Sequence, residues 1–531
     1  MAGSTTRART SQGGQRRGCQ GRSASGYTAR QRRKQRGDRA RCQAREKTLR
    51  RFPVGTPDVS QEQTAARDVG SRIPVTPLPP ASCGLGQTNK DRGRHSWAPE
   101  IPLPPLELRL LKRYVILVES HMRAASKLAA GVASLPSIRT AFAATQGTWR
   151  FLNNDRAPLS ALVEPLREAG RNQVKALESR FAMLVHDWSK LTFSQPKRKR
   201  DLTQLTHSSD VGYELMTALL VSADDGTPLA PMELHLKTAE GLLSTRDPAP
   251  KQVPHLDQIL ETMRASREWK LDKPLLHVID READSVDHYR QWDDAGFKFL
   301  VRADDRRVNW RGESLLLTKI GRSLRRRKAF SKVTDDAEYH GRPAELWVAE
   351  TEVTLTRPAK KNVGGKRFEL AGRALTLRYI VVQLRDGAGK VLAQWMLLTN
   401  APKRTTAEHL AHCYYWRWRI ESYHKLLKSH GQQLEQWQQA TGIAIARRLL
   451  VAAMACVLAW QLEADTSEEA EELKEIVIRL SGRQMKHGRS CTAPALLAGL
   501  WPLLSMLELL EYTDLEHLRH LAARIRFLNS G

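Results

Sequence analysis

Paired cysteines, long apolar runs and acidic residues are what this 531-residue chain is short of. Its six cysteines (Cys19, Cys42, Cys83, Cys413, Cys456, Cys491) stand far apart with no CxxC pair. That excludes a zinc ribbon, argues against a disulfide scaffold and makes a reducing cytoplasm the expected compartment. The longest uninterrupted apolar run, Leu449 to Trp460, is twelve residues, against the roughly 20 that a bilayer span needs, so no membrane partner is expected. No apolar h-region marks the N-terminus, and no secretory signal is expected. Asp and Glu number 57 against 85 Lys and Arg, a formal charge of +28. Such an imbalance points to a polyanionic partner, nucleic acid before an anionic membrane surface. What is present in quantity is apolar: 41% of residues, enough for real cores, in a chain long enough for about three structural units.

The charge is unevenly spread. Residues 1–100 hold 21 Lys/Arg and 7 Asp/Glu, a net +14, which leaves the other 431 residues with the remaining +14. This first stretch is rich in Arg, Gln, Gly, Ser and Pro and has little apolar periodicity, so it cannot bury enough surface to offset its ordering entropy. We expect a disordered basic tail over 1–100, either an arm that binds nucleic acid nonspecifically or a merely solvated extension.

Helical patterning starts near Leu106, after Pro102, Pro104 and Pro105, and three helical stretches fill the rest of 101–180. The segment 181–305 reads as strand, hairpin, helix, strand, helix, strand. FAMLVHD (181–187) is a buried-strand run, YELMTALLVSADDGTPLAPMELHL (213–236) is a hairpin turning at Asp225-Gly226, and PLLHVID (274–280) is a second buried run. This order fits one α/β sheet with an antiparallel meander and later crossovers. Residues 306–400 show strand patterning with little helix and read as a β-rich insertion. From Thr406 the chain is helical nearly to its end, divided into 401–465 and a helical C-terminal unit, 466–531, whose apolar PALLAGLWPLLSMLELLEY suits either dimerisation or packing on the chain's own core.

Asp187 and Asp280 each close an apolar strand run. Carboxylates there project from the rim of a sheet, and two of them on neighbouring strands could hold a hard divalent cation; equally, Asp at a strand end is a common turn or capping residue, and Glu282 and Asp284 beside Asp280 compete for that place. CYYWRWRIESYHKLLKSHG (413–431) predicts one amphipathic helix. At about 100° per residue, Arg417, Glu421 and Lys428 fall within about 60° of Tyr414, with Trp416, Ile420, Tyr423 and Leu427 opposite. The polar stripe would add a third carboxylate and two cations to a ligand site, or else form a surface ladder of i,i+4 ion pairs.

The spacing of Tyr414, Arg417, Glu421 and Lys428 resembles the YREK signature of the insertion-sequence-four family of bacterial transposases, which includes the transposon-five transposase. IDREAD (279–284) is similar to that family's second-aspartate motif, LVHDWSKLTFS (184–194) to its first, and ASLPSIRTAFAATQGTWRFLNND (133–155) to its end-binding domain. The match covers roughly residues 106–460 in the family's order; residues 1–100 match nothing in it, and 465–531 match only loosely. The resemblance implies an α/β, RNase H-like catalytic core (181–305 and 401–465) interrupted by the β-rich insertion, with helical N-terminal DNA-binding (101–180) and C-terminal domains. It implies a DDE triad of Asp187, Asp280 and Glu421 holding two Mg²⁺ ions, Mn²⁺ able to substitute. Tyr414, Arg417 and Lys428 would contact DNA phosphates, and Trp395 in QWMLLTN would stack on a flipped base. The activity implied is cut-and-paste transposition of double-stranded DNA by a homodimer on paired terminal inverted repeats, acting on nucleoid DNA in the bacterial cytoplasm. The competing expectation is a catalytically defective or domesticated copy that binds the same ends and represses; a structure-selective nuclease is a weaker enzymatic one.

Overall fold

The computed structural model describes residues 101–122, 141–207, 209–246, 253–363, 366–485, 491–510 and 513–523. The basic tail, 1–100, and the first part of the end-binding stretch, 133–140, lie outside the described residues.

Among the described residues three helices come first: α1 (Leu108–Met122), α2 (Ala141–Leu152) and α3 (Leu159–Lys175). There follow β1 (Ala182–Leu191), the short β2 (Thr203–Gln204), the hairpin strands β3 (Val211–Val221) and β4 (Pro228–Thr238), and β5 (Gly241–Ser244). Next are α4 (Asp257–Ser266), β6 (Leu275–Ile279), α5 (Val286–Asp294) and β7 (Lys298–Arg302). The β-rich stretch comprises β8 (Arg307–Trp310), β9 (Glu313–Leu316), α6 (Leu317–Arg326), β10 (Ser331–Tyr339), β11 (Arg342–Leu355), β12 (Ala359–Val363), β13 (Lys366–Leu370), β14 (Leu375–Arg385) and β15 (Val391–Thr399). The remainder is helical: α7 (Ala407–Trp416), α8 (Trp418–Lys425), α9 (Gly442–Ala464), α10 (Glu468–Ser481), α11 (Ala493–Leu510) and α12 (Leu515–Ala523).

The strands form one mixed sheet in the order β5-β4-β3-β1-β6-β7-β15-β14-β11-β8-β9, with β10 on β11 and β2 on β3; β12 and β13 pair separately. β1 is antiparallel to β3 but parallel to β6, and β6 is parallel to β7. Parallel neighbours need a crossover, and α4 and α5 lie on the connections into β6 and β7. The β-rich stretch continues this sheet, because β15 pairs antiparallel with β7 (Leu398 opposite Val301). One helix was not foreseen there: α6 forms because Leu317, Ile320 and Leu324 recur at helical spacing and are buried.

Side chains alternate across the sheet. Leu276, Val278, Leu300, Ile380, Val382 and Leu397 pack into one apolar cluster with α1, α3 and α7 to α9. Ile279, Phe299, Val301, Tyr379, Val381 and Leu398 face the other side, with residues of α4, α5 and α6. The architecture is therefore three-layered, helices on both faces of a mixed sheet. α9 is long and apolar enough for a membrane span by length and composition, but its apolar window is 94% buried inside the protein, so the apolarity serves the core.

Two sequence boundaries shift. β1 does not stop at Asp187 but runs on to Leu191, paired with β3 throughout. The helix expected over 413–431 begins at Ala407, where the Thr406 side chain caps His409 N at 3.2 Å. It is interrupted at Arg417 and ends in a π-turn, Leu426–His430.

Candidate functional site

The parallel pairing of β1 with β6 ends at His186 opposite Ile279. Asp187 and Asp280 are each the next residue, so they leave the paired stretch side by side. Asp187 is still within β1, opposite Thr217 of β3. Asp280 has left its strand and caps a short 3₁₀ turn, its Oδ1 accepting from Arg281 N at 2.7 Å. The helical segment α7–α8 lies across this edge, placed by buried Leu410, Tyr414, Ile420 and Tyr423. Gly226 in the β3–β4 turn lets it approach: at φ +75° a side chain is strained, and a Cβ there would stand 2.3 Å from the Trp416 ring.

Arg417 is the centre of the arrangement. Its side chain is 3% exposed, and Nη2 donates to Glu421 Oε1 at 2.8 Å. The same guanidinium lies 3.7 Å from Asp280 Oδ2 and 3.8 Å from Asp187 Oδ2. The Tyr414 hydroxyl donates to Asp280 Oδ1 at 3.1 Å, and Arg302, at the end of β7, stands 3.6 Å from the same oxygen. Burial pushes the Asp187 carboxyl up to about 7; Arg417 and the Trp188 amide oppose this, while Asp280 and Glu421 add to it. Asp280 is also desolvated, but Arg417, the Arg281 amide, Arg302 and Tyr414 outweigh burial and hold it below the usual carboxylate range. Two residues of one type, adjacent in space, thus titrate apart.

The guanidinium is under-used. Nε and Nη1 of Arg417 are buried without a hydrogen-bond partner, an arrangement that costs free energy unless something completes it. An anionic oxygen such as that of a phosphodiester would.

Three oxygen-donor carboxylates, one of them held protonatable near neutrality, have the donor chemistry of a hard divalent cation site. Arg417 stands between them here, and among the described residues no three His, Cys, Asp or Glu side chains stand close enough to hold a metal ion. The residues fit a cation in kind, and the cation they surround in this structure is the guanidinium.

The other sequence-singled residues divide. Tyr414, Arg417 and Glu421 join the two aspartates. Lys428 does not: its ammonium donates to the Lys190 carbonyl and lies 3.7 Å from Glu435. The π-turn that contains it winds fewer degrees per residue than an α-helix, which takes Lys428 off the stripe. It stays near β1, three residues beyond Asp187. Trp395 is 5% exposed, in the core at the centre of β15, its ring 5.3 Å from that of Tyr414. Asp284 is a structural anchor: buried, it pairs with Arg306, accepts from the Tyr289 hydroxyl and receives Asp304 N at 2.7 Å. Sequence reasoning missed Arg302, although FLVRA ends a strand on a charge much as PLLHVID does. It also missed Trp418, 41% exposed beside Arg417, with the guanidinium 5.6 Å from its ring.

Residues 237–458 match the family model of the transposase DDE domain. That stretch contains Asp280 and Glu421 and leaves Asp187 outside. No curated protein matches the chain. Among solved structures it is similar to a piggyBac transposase synaptic complex with hairpin DNA, at 11% identity and a TM-score of 0.30, covering 78% of this chain and 75% of that one.

Proposed function

We propose that the protein is a DDE transposase that cuts double-stranded DNA at the ends of its own element and joins the 3′ ends to target DNA. The observation that carries this is the convergence of Asp187 in β1, Asp280 just past β6 and Glu421 in α8 on one buried arginine. The match of residues 237–458 to the transposase DDE domain supports it. The antiparallel β4-β3-β1 meander leading into the parallel β1-β6-β7 set supports reading the core as RNase H-like. The Tyr414–Arg417–Glu421 geometry supports the finer reading, membership of the insertion-sequence-four family.

In this reading Asp187, Asp280 and Glu421 hold Mg²⁺, which when bound supplies Lewis-acid activation of the attacking oxygen and stabilisation of the leaving one. The chain's own groups do the rest. Arg417 offers its guanidinium charge to a phosphate, where a charge-assisted contact is strong and directional. Tyr414 holds the Asp280 carboxylate in place by its hydroxyl. Arg302 offsets the negative charge of Asp280 next to the DNA backbone. Lys428, along β1, meets a phosphate farther from the scissile one. A second copy of the chain would sit on the outer face of α11, where Trp501, Met506, Leu507, Leu509 and Leu510 are exposed, to give the paired-end homodimer.

The test uses labelled duplexes of the DNA flanking the reading frame. The proposal expects Mg²⁺-dependent nicking at an inverted repeat, leaving a 3′-hydroxyl, and loss of nicking with Asp280→Asn. Specific binding of those ends without any cleavage by the wild type would establish the repressor reading instead.

A further inference from the structure

α6 lies away from the carboxylate site and carries a charge pattern that no part of the proposed chemistry uses. Its buried face, Leu317, Ile320 and Leu324, is pressed on the sheet. The Tyr379 hydroxyl donates to Leu317 O at 2.9 Å, and a Cβ at Gly321 would come within 3.3 Å of that hydroxyl. The helix is thereby fixed in depth and rotation. At about 100° per residue, Lys319, Arg322 and Arg326 form a stripe no wider than about 60° on the side opposite the apolar face. All three are exposed, as is Arg325 in the last turn, and Arg327 and Lys328 extend the exposed charge past the helix end. None of these six forms an ion pair with a carboxylate among the described residues.

The cations beside the helix belong to the same surface. Arg311, held at φ +56° by the turn before β9, and Arg327 both lie over the Trp310 ring, at 4.9 and 5.5 Å. Arg385 is wedged between Phe330 and Trp347, at 5.1 and 4.3 Å. Its pKa is lowered, by burial first and then by the charge of Arg325, with Glu345 opposing the shift. A helix C-terminus favours some cations, and that accounts for Arg325 and Arg326. It does not account for Lys319 in the first turn, nor for the convergence of Arg311 from the β8–β9 turn and Arg385 from the end of β14. Like charges gathered on a rigid face cost stability in the isolated protein, and a polyanion removes that cost.

We propose that α6, with Arg311 and Arg385, is a second DNA contact that grips the phosphate backbone of a duplex without reading its sequence. Rigid cations at helical spacing suit regularly spaced phosphates. No Asn, Gln or acidic side chain lies in α6, so the groups best suited to reading A or C edges are absent. The proposal rests on the chain acting on DNA and adds where the duplex beyond the cleavage site is held.

The experiment measures binding of the full chain to a duplex of random sequence, by fluorescence anisotropy, over a series of salt concentrations. Lys319→Gln/Arg322→Gln/Arg326→Gln should lower the slope of log K against log salt by about 2 to 3, given about 0.9 per phosphate contact, and raise Kd roughly tenfold near physiological salt. The matched triple Lys270→Gln/Arg479→Gln/Arg483→Gln removes the same charge from exposed positions elsewhere and should change the slope by less than about 1. All six positions are exposed, so unchanged thermal midpoints are expected and are checked first. Equal effects of the two triples would reduce the result to net charge and overturn the proposal, as would an unchanged slope in the α6 triple. If that triple binds normally while the wild type still cuts element ends, the α6 contact fails and the transposase reading stands. If the wild type binds no DNA, both fail.

Discussion

Asp187 and Asp280 sit side by side one residue beyond the last parallel pair of β1 and β6, His186 opposite Ile279. The strand pairing itself, rather than a flexible loop, sets their separation. Glu421 reaches the same place from α8, and Arg417 bridges all three.

Asp187→Asn, Asp280→Asn and Glu421→Gln should each reduce end cleavage by about 100-fold or more, on the scale of removing a group that acts in the transition state, with end binding retained. A gel assay scoring the shifted complex and Mg²⁺-dependent nicking separately reads both. Asp284→Ala should instead lower the thermal midpoint, because it strands the half-buried Arg306 and the buried Tyr289 hydroxyl, while leaving cleavage measurable below the transition. Near wild-type cleavage in any of the three would remove that residue from the site.

Arg417→Ala leaves three carboxylates facing one another. Without divalent cation at pH 8 it should cost ~3 kcal/mol, the scale for removing one partner of a buried pair. Added Mg²⁺ should recover part of that loss, more than it stabilises the wild type. Denaturant melts with and without Mg²⁺ check this; a Mg²⁺-independent cost would mean that the arginine and a metal ion do not share the same carboxylates.

The raised pKa of Asp187 has a definite sign. The folded state keeps a proton on this carboxyl up to about pH 7, whereas the unfolded state loses it near 3.8. The unfolded state therefore binds fewer protons across that window, and this group's contribution to stability falls as pH rises through it. Asp187→Asn should remove that fall and, at pH 8 without divalent cation, stabilise the protein by on the order of 1 kcal/mol. Stability against pH for the two proteins, from denaturant midpoints, is the measurement.

Trp395→Ala should cost about 3–5 kcal/mol as a large-to-small core change and should lower nicking together with every later step, because Tyr414 loses its packing partner. Trp395→Phe should restore most of both. Normal nicking with a defect confined to hairpin formation or resolution, at an unchanged midpoint, would return Trp395 to base stacking.

A chain beginning at residue 101 should cut its ends at a rate close to that of the full protein. Its affinity for bulk DNA should have a shallower salt dependence, since the tail's net +14 no longer displaces counterions. Loss of cleavage in a folded truncated chain would give the tail a catalytic part.

What the sequence could show was local and periodic. The runs ending in Asp187 and Asp280 announced buried strands, Asp225-Gly226 announced the hairpin, and the spacing of Tyr414, Arg417 and Glu421 placed them on one helix face. The strand and helix inferences need only the periods of those elements, and the hairpin needs only the turn preference of Asp-Gly. Lys428 escaped because a π-turn has no strong signature in composition. Trp395 and Trp418 look alike as residues, and only packing makes the first a core side chain and the second an exposed one.

The amino-acid order by itself therefore determined most of the elements and the basic character, and it offered the three acidic candidates that the family resemblance picks out. Tertiary structure alone decided that β1 and β6 are parallel neighbours, that the β-rich stretch extends their sheet through β15 and β7, and that Arg417 lies buried among the carboxylates. The reason is physical: periodicity is a property of neighbours along the chain, whereas strand order and the burial of a charge depend on contacts between segments far apart in sequence, whose energies no local pattern encodes.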